Sequence, residues 1–386
     1  MLIRNLLIIT FLLCGAPTLF AEESEPKFDA AKTILHHILD THDWHITDIP
    51  TGKDAEGHAT YTPVALHLPW FFYSSRDGFV FASGTEDLLH KGYVPFEEAL
   101  HALKPDAPTE QFAHGHGHMS EADWHTFEAA HVDEHVTILD LSITKTSLQM
   151  LMIGLLLVFT FIAVRKSFER NRGQAPKGIQ SFFEPIIVFV RDEVARPYLH
   201  DKADAFLPYL LTLFFFIWFS NLFGLMPFNS NIAGNISVTA ALAVLTFIIT
   251  QVRGSKDYWT HIFNTPGVPW VLKFVIPIMP IVEFIGIFTK PFALAVRLFA
   301  NITAGHFMVL GLVSLIFIMS NAGESLTGGL AIMPISVLFS IVIFALEMIV
   351  AIVQPFIFTL LTAVFVGMAM ESHAHDDHHH QPGHQH

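Results

Sequence analysis

The chain has 386 residues, of which 52% are hydrophobic and only 15% are charged, with a formal net charge of −14. Its mean hydropathy of +0.47 lies outside the usual range of soluble proteins and indicates a membrane protein with several spans. The only cysteine is Cys14, which excludes a disulfide framework and a cysteine-based metal site.

The first 21 residues have the pattern of a secretory signal peptide. Arg4 is the positive flank, residues 6–13 form a short apolar core, and Ala21 is a plausible cleavage position. The apolar core is too short for the ~20 residues that a membrane span requires. We therefore expect residues 1–21 to be removed and the segment after them to be translocated.

Residues 22–140 are polar and strongly acidic, with 6 Lys or Arg residues against 22 Asp or Glu residues. Strand-forming residues at 61–70 and 78–82 flank an Asp77-Gly78 turn and predict a β-hairpin, and 28–39 predicts a helix. The segment is therefore expected to be a small α+β extramembrane domain. Its negative charge argues against nucleic acid or anionic lipid as a partner.

The rest of the chain predicts an all-α polytopic membrane domain over residues 141–370, followed by a His-rich tail at 371–386. We expect about five transmembrane helices plus one amphipathic helix at the interface, with the last two spans long, tilted and paired as a hairpin. The expected spans are 147–164, 205–226, 237–252, 269–319 (with an ingress region before the helix) and 329–370, and the interfacial helix is 178–194.

Basic residues in the loops predict the orientation. They crowd between the first and second spans and recur between the third and fourth, whereas 227–236 and 320–329 contain none. The positive-inside rule then places residues 22–140 outside and the C-terminus in the cytoplasm. The expected location is the bacterial inner membrane, crossed several times.

Arg297 is the first functional candidate because it lies deep inside an apolar stretch. A charged side chain at the centre of a membrane helix costs roughly 2.5–3.5 kcal/mol on insertion scales, so it is seldom kept without a partner or a task. An arginine near a helix end can reach the headgroups instead. That explanation fails here, because apolar sequence surrounds Arg297 and continues to Met319.

Other polar residues can be placed by the register of the last two spans. Their connection is centred near residue 325, so antiparallel partners should have numbers that sum to about 650. Arg297 then pairs in depth with Gln354, and His306 with Glu347 about 12 Å nearer the outside. Glu283 falls on the cytoplasmic side. Ionisable groups thus spread along the membrane normal, as a proton path requires.

The azimuths of these residues leave alternatives open. Asn301 shares a helix face with Arg297, but His306 lies about half a turn away on an ideal helix. His306 is either a relay group or a neutral core histidine. Asn301 and Gln354 are equally consistent with hydrogen bonds between helices. Glu283 lies nearer a helix end, where a solvated carboxylate is the default interpretation.

The string KPFALAVRLFANITAGH at 290–306 resembles the most characteristic segment of subunit a of F-type ATP synthases. Two further strings support the resemblance, FIWFSNLFGLMP at 216–227 and LEMIVAIVQPFIFTLLT at 346–362. The resemblance covers about the last two thirds of the chain. It implies a stator subunit beside a rotating c ring, with b-type peripheral stalk subunits, the rest of the ATP synthase and the lipid bilayer as partners.

The resemblance also implies roles for the membrane residues. Arg297 matches the essential stator arginine, Asn301 and Gln354 match amides near it, and Glu283 matches a carboxylate of the cytoplasmic half-channel. One departure concerns His306 and Glu347, because the familiar enterobacterial pattern has Glu and His at these two positions in exchanged order. No cofactor is implied, and the sequence has no phosphate-binding Gly-Lys-Ser/Thr loop.

Two alternatives remain at this point. The same subunit could translocate Na⁺ instead of protons, since ion choice is largely a property of the rotor. The clusters His114–His118 and His373–His386 could instead indicate a metal-ion transporter, because clustered histidines bind zinc, copper or nickel. Both clusters, however, lie outside the expected spans.

Overall fold

A computed structural model describes residues 43–53, 59–96, 99–108, 121–226, 232–263, 278–320 and 326–371. The expected leader, the expected helix at 28–39 and both histidine clusters lie outside these residues.

The described residues of the N-terminal region form seven strands and two helices. In chain order the elements are β1 (Asp43–Lys53), β2 (Ala59–His67), β3 (Trp70–Ser74), β4 (Gly78–Ala82), α1 (Thr85–His90), β5 (Tyr93–Phe96), β6 (Ala99–Ala102), α2 (Glu121–His131) and β7 (Ile138–Asp140). Antiparallel pairing joins β1 to β2 and β5 to β6, and β3 lies between β4 and β7 in a three-stranded sheet.

The predicted hairpin exists, but its first strand was placed wrongly. Ser74 pairs with Gly78 across the expected turn, and Gly78 has a positive φ of 75°. The strand that enters the turn is β3, whereas residues up to His67 belong to β2 and pair with β1. Pro69 explains the break, since it lacks the N–H that a continuous strand would need.

The domain core lies on one face of the three-stranded sheet. Trp70, Phe72 and Val80 are buried there against Leu88 of α1 and the ring of Tyr93. The central strand β3 alternates strictly between buried and exposed positions, which is the period that a pleated strand requires.

The described part of the membrane region is helical, with both long and short helices, which confirms the predicted fold class. They are α3 (Lys145–Arg170), α4 (Ile179–Phe189), α5 (Arg196–Leu199), α6 (Ala203–Gly224), α7 (Ile236–Arg253), α8 (Lys256–Phe263), α9 (Ile278–Met319) and α10 (Leu326–Met370). Within the described ranges, five helical stretches are long and apolar enough to cross a membrane, and the stretch Ile179–Gly224 counts as one of them.

The helix bounds differ in detail from those expected. The first span begins and ends beyond the predicted 147–164, because Thr144 caps its N-terminus and the basic residues after it stay helical. The expected interfacial segment forms α4 and a π-helical turn, Val190–Ala195, before the chain changes direction at His200, whose φ is 46°. The short helix α8 was not predicted.

Helices α6 and α10 run antiparallel in the centre of the membrane region. Near one end the buried Asn221 Nδ2 donates to the Ala351 carbonyl at 3.2 Å. Near the other, Tyr209 and Thr362 both contact the Thr246 hydroxyl of α7, at 3.1 and 3.4 Å. The largest core joins α3, α4 and the π-helical turn to these helices around the buried Phe215. This bundle supports one side of α9.

Candidate functional site

Helix α9 has one buried face and one exposed face along the segment that carries Arg297. Leu294, Leu298 and Ile302 recur at four-residue intervals and pack against Leu213 of α6 and Phe358 of α10. Because this spacing keeps side chains on one face, the helix has a fixed rotation about its axis. That rotation decides where the polar residues point.

Arg297 and Asn301 lie on the exposed face. Each precedes a buried residue by one position, and both are exposed. Their surroundings are apolar, with Phe292 69% exposed and Val296 36% exposed. Within the described part of the chain, Arg297 has no hydrogen bond or ion pair. The guanidinium is therefore presented on an apolar surface at the middle of a span.

Contacts between α9 and α10 confirm the predicted hairpin register. A β-carbon on Gly305 would lie 3.1 Å from the carboxyl carbon of Glu347, and the numbers of this pair sum to about 650 as expected. Nearer the connection, the Ser336 hydroxyl donates to the Leu312 carbonyl. The connection itself, at 321–325, lies outside the described residues.

Glu347 and Gln354 belong to the interior, in contrast to Arg297. They are 6% and 5% exposed and lie seven residues apart on one face of α10. His306 follows Gly305 directly and is half-buried, so it lies at the depth of Glu347. The candidate residues therefore form two groups. Arg297 and Asn301 are exposed on α9, whereas His306, Glu347 and Gln354 are less exposed.

Glu283 does not join either group. It is half-buried in the first turns of α9, and the helical rise puts it about 21 Å along the axis from Arg297. It therefore lies towards the opposite end of the helix from Gly305 and His306.

Buried hydroxyl and amide groups form a set that the sequence analysis did not identify. Asn221 Oδ1, Ser220 Oγ and Thr359 Oγ1 are buried and have no hydrogen-bond partner among the described residues. They lie on α6 and α10, the two helices whose Tyr209 and Thr362 side chains contact Thr246 of α7. The Ser-Asn pair inside an apolar run was the available signal, because polar side chains in a span usually bond across helices.

The histidine clusters stay untested as metal ligands, since they lie outside the described residues. Within the residues that the structure does describe, no group of three or more His, Cys, Asp or Glu side chains is arranged to hold a metal ion.

A family model described as ATP synthase A chain matches residues 147–367, more than half of the chain. The chain belongs to this family. It is 39% identical over 274 residues to ATP synthase subunit a of Chloroherpeton thalassium, covering 68% of this chain and 78% of the relative. It is 37% identical over 326 residues to ATP synthase subunit a 2 of Prosthecochloris aestuarii, covering 77% of this chain and 97% of the relative.

A third relative, ATP synthase subunit a of an Anaeromyxobacter species, is 41% identical over 281 residues, covering 69% of this chain and 64% of the relative. All six candidate residues lie inside the stretch matched to the family, whereas the strand-rich domain precedes it. The resemblance of residues 290–306 to ATP synthase subunit a is therefore confirmed, and the chain is a membrane protein of the ATP synthase.

Proposed function

We propose that this subunit carries protons to and from carboxylates on the c ring through two half-channels that meet near Arg297. The observation that carries the proposal is the exposed position of Arg297 on an apolar helix face, without an ion pair to any described residue. A guanidinium stays charged at all accessible pH, and an unmatched charge in the bilayer is costly. A carboxylate on a neighbouring rotor helix would neutralise it.

The outer half-channel is assigned to His306 and Glu347. Glu347 is buried against Gly305, about 12 Å along the helix from Arg297, and His306 occupies the next position after that glycine. A carboxylate and an imidazole at one depth can hand a proton on, because each of them can bind and release one. Their exchanged order keeps one group of each kind in the same cavity.

The inner half-channel is assigned to Glu283. It lies about 21 Å from Arg297 in the opposite direction, which separates the inlet and outlet along the membrane normal. With the basic loops in the cytoplasm, Glu283 faces the cytoplasmic side and the N-terminal domain lies outside. Protons would then enter past His306 and Glu347 and leave near Glu283 after the ring has rotated.

Arg297 separates the two half-channels electrostatically. It attracts the ionised rotor carboxylate and repels a proton that would pass straight from inlet to outlet. Asn301, one turn further along the same exposed face, can donate a hydrogen bond to that carboxylate. Gln354 lies at the depth of Arg297 but is buried, so we assign it to holding α9 and α10 together. The c ring and the b-type peripheral stalk are the partners that this mechanism requires.

The test is Arg297→Ala in the assembled ATP synthase, with Lys290→Gln as the matched control. Lys290 is a second cation on α9, seven residues earlier and also exposed, with its ammonium 5.8 Å from the Phe365 ring. Inverted membrane vesicles should lose ATP-driven proton pumping with Arg297→Ala and keep it with Lys290→Gln. Normal pumping with Arg297→Ala, in a complex that contains the c ring, would overturn the proposal.

A further inference from the structure

The three-stranded sheet of the N-terminal domain exposes an apolar face that its own core does not use. Five side chains form it, and each is more than two fifths exposed: Phe71 43%, Tyr73 45%, Phe79 69%, Phe81 57% and Leu139 60%. We call these five residues the aromatic face. Strand pairing sets Phe71 opposite Phe81 and Tyr73 opposite both Phe79 and Leu139, so the face is continuous across all three strands.

Ring contacts make this face an ordered surface. Phe71 and Phe79 stack with centroids 5.8 Å apart, and Tyr73 meets Phe79 edge to face at 5.1 Å. The strands β3 and β4 contain no charged residue. Since monomeric soluble proteins rarely expose large contiguous apolar patches, this face has an occupant.

The chain path places the aromatic face beside the membrane. Only residues 141–144 separate β7 from the first spanning helix, so the ends of these two elements are at most about 18 Å apart. This linker is fastened to the sheet, because the Leu141 N–H donates to the Phe71 carbonyl at 3.0 Å and Ser142 Oγ accepts from the Phe71 N–H at 2.9 Å. The sheet therefore cannot move far from the point where α3 enters the bilayer.

Exposed apolar side chains also follow along the chain, through the linker and into α3. Leu141 and Ile143 in the linker are 49% and 46% exposed, and Leu151 and Leu155 on α3 are 57% and 49% exposed. Tyr is enriched at the boundary between headgroups and acyl chains, and Phe and Leu form the lipid-facing side of segments that lie there. A lipid surface therefore explains the exposed apolar side chains of the strands, the linker and the span alike.

We propose that the aromatic face lies in the interfacial layer of the membrane and docks the N-terminal domain onto zwitterionic phospholipid. The headgroup class follows from charge, because residues 22–140 carry 22 acidic against 6 basic side chains and would be repelled by an anionic surface. The contact is hydrophobic, so it is insensitive to salt. It holds the domain against the bilayer beside the point where α3 begins.

The experiment measures the immersion of nitroxide labels on the full chain in phosphatidylcholine nanodiscs. Cysteines replace Phe79 and Leu139 singly on the aromatic face, in a Cys14→Ser background that has no other cysteine. The control is Glu86→Cys, an exposed position on α1, the helix that packs beneath the opposite face. Collision with oxygen, which dissolves in lipid, is compared with collision with a water-soluble nickel chelate.

The ratio of oxygen to nickel collision should be several-fold higher at residues 79 and 139 than at residue 86, and should not change when salt is raised. Equal ratios at all three positions would mean that the face is in water and would overturn the proposal. Protection of 79 and 139 from both reagents would mean a protein cover and would overturn it equally. Two independent label positions guard against a substitution that disturbs the fold, which near-native circular dichroism also checks.

Discussion

Gly305 of α9 lies directly against the carboxyl group of Glu347 of α10. A β-carbon at residue 305 would be 3.1 Å from Glu347 Cδ and 3.2 Å from its Oε1, which is tighter than ordinary van der Waals contact. The glycine thus lets a buried carboxylate lie against the backbone of the neighbouring helix. The contact fixes the depth of Glu347 relative to the residues on either side of Gly305, including His306.

Replacing Gly305 with alanine should lower passive proton flux. The added methyl group must displace the Glu347 carboxylate by a few tenths of an ångström, away from the position that we assign to the outer half-channel. Gly311→Ala, on the same helix, is the matched control, because a β-carbon at residue 311 would meet nothing within 4 Å. The measurement is proton uptake by membrane vesicles stripped of the catalytic head. Equal flux in both variants would contradict the assignment.

The register of the hairpin could be predicted from the sequence because it depends only on where two helices turn and on the constant helical rise. The rotation of α9 could not. Leu294, Leu298 and Ile302 are no more apolar than the neighbouring residues on the other faces, so only packing against α6 and α10 shows that Arg297 is exposed. The contact between the Thr246 and Thr362 hydroxyls could not be predicted either, because it depends on how α7 packs against α10.

Strands were harder to predict than helices. The run at 61–70 has the composition of one strand, yet it is divided between β2 and β3 at Pro69. Long apolar spans tolerate an error of a few residues at each end, whereas short strands exchange partners when a boundary moves. The aromatic face was also invisible in the sequence, because alternation indicates two faces without showing which of them the domain covers.

Gly367→Ala should destabilise the membrane bundle. A β-carbon at residue 367 would overlap the backbone carbonyl of Tyr198, so α5 and α10 must move apart. Overpacking of this kind costs about 1–3 kcal/mol. Gly154→Ala on α3 is the control, since nothing lies within 4 Å of a β-carbon there. In detergent, the midpoint of thermal unfolding should be lower for Gly367→Ala than for Gly154→Ala. Equal midpoints would show that α5 and α10 accommodate the methyl group without loss of stability.

The N-terminal domain should lose stability as the pH falls through about 6.5, the ordinary value for histidine. Burial lowers the pKa of His101, with Glu128 opposing the shift, and the imidazole lies 4.9 Å from the Trp124 ring. The folded state favours the neutral form of His101. The stability that this residue contributes is therefore complete above the pKa of histidine in the unfolded chain, and it declines below that pH as protons bind the unfolded chain. His101→Gln should flatten this decline, as followed by tryptophan fluorescence during thermal unfolding, whereas exposed His135→Gln should not.

Asp77 adds a second loss of stability in stronger acid. Hydrogen bonds from Tyr93, at 2.5 Å, and from Arg76 lower the pKa of the Asp77 carboxyl. Its contribution is therefore present above the ordinary value of 3.8 and is lost below it. Asp77→Asn should remove the part of the acid transition that lies below that value and leave the part near pH 6.5 unchanged. If Asp77→Asn left the loss of stability below that pH unchanged, the contact between Tyr93 and Asp77 would contribute nothing to stability.

The last prediction concerns His306 and Glu347 as a pair. Register puts both at one depth, about 12 Å from Arg297, where a carboxylate and an imidazole can share a hydrated cavity. Each single exchange, His306→Glu or Glu347→His, leaves two groups of one kind there and should reduce passive proton flux. The double exchange restores one group of each kind.

Flux in the double exchange should therefore exceed that of either single variant, a coupling that neighbouring groups show and distant groups do not. The four chains are compared by proton uptake into vesicles stripped of the catalytic head, with the amount of assembled subunit measured in each. If the losses at 306 and 347 simply add, the two residues act independently and the shared cavity does not exist.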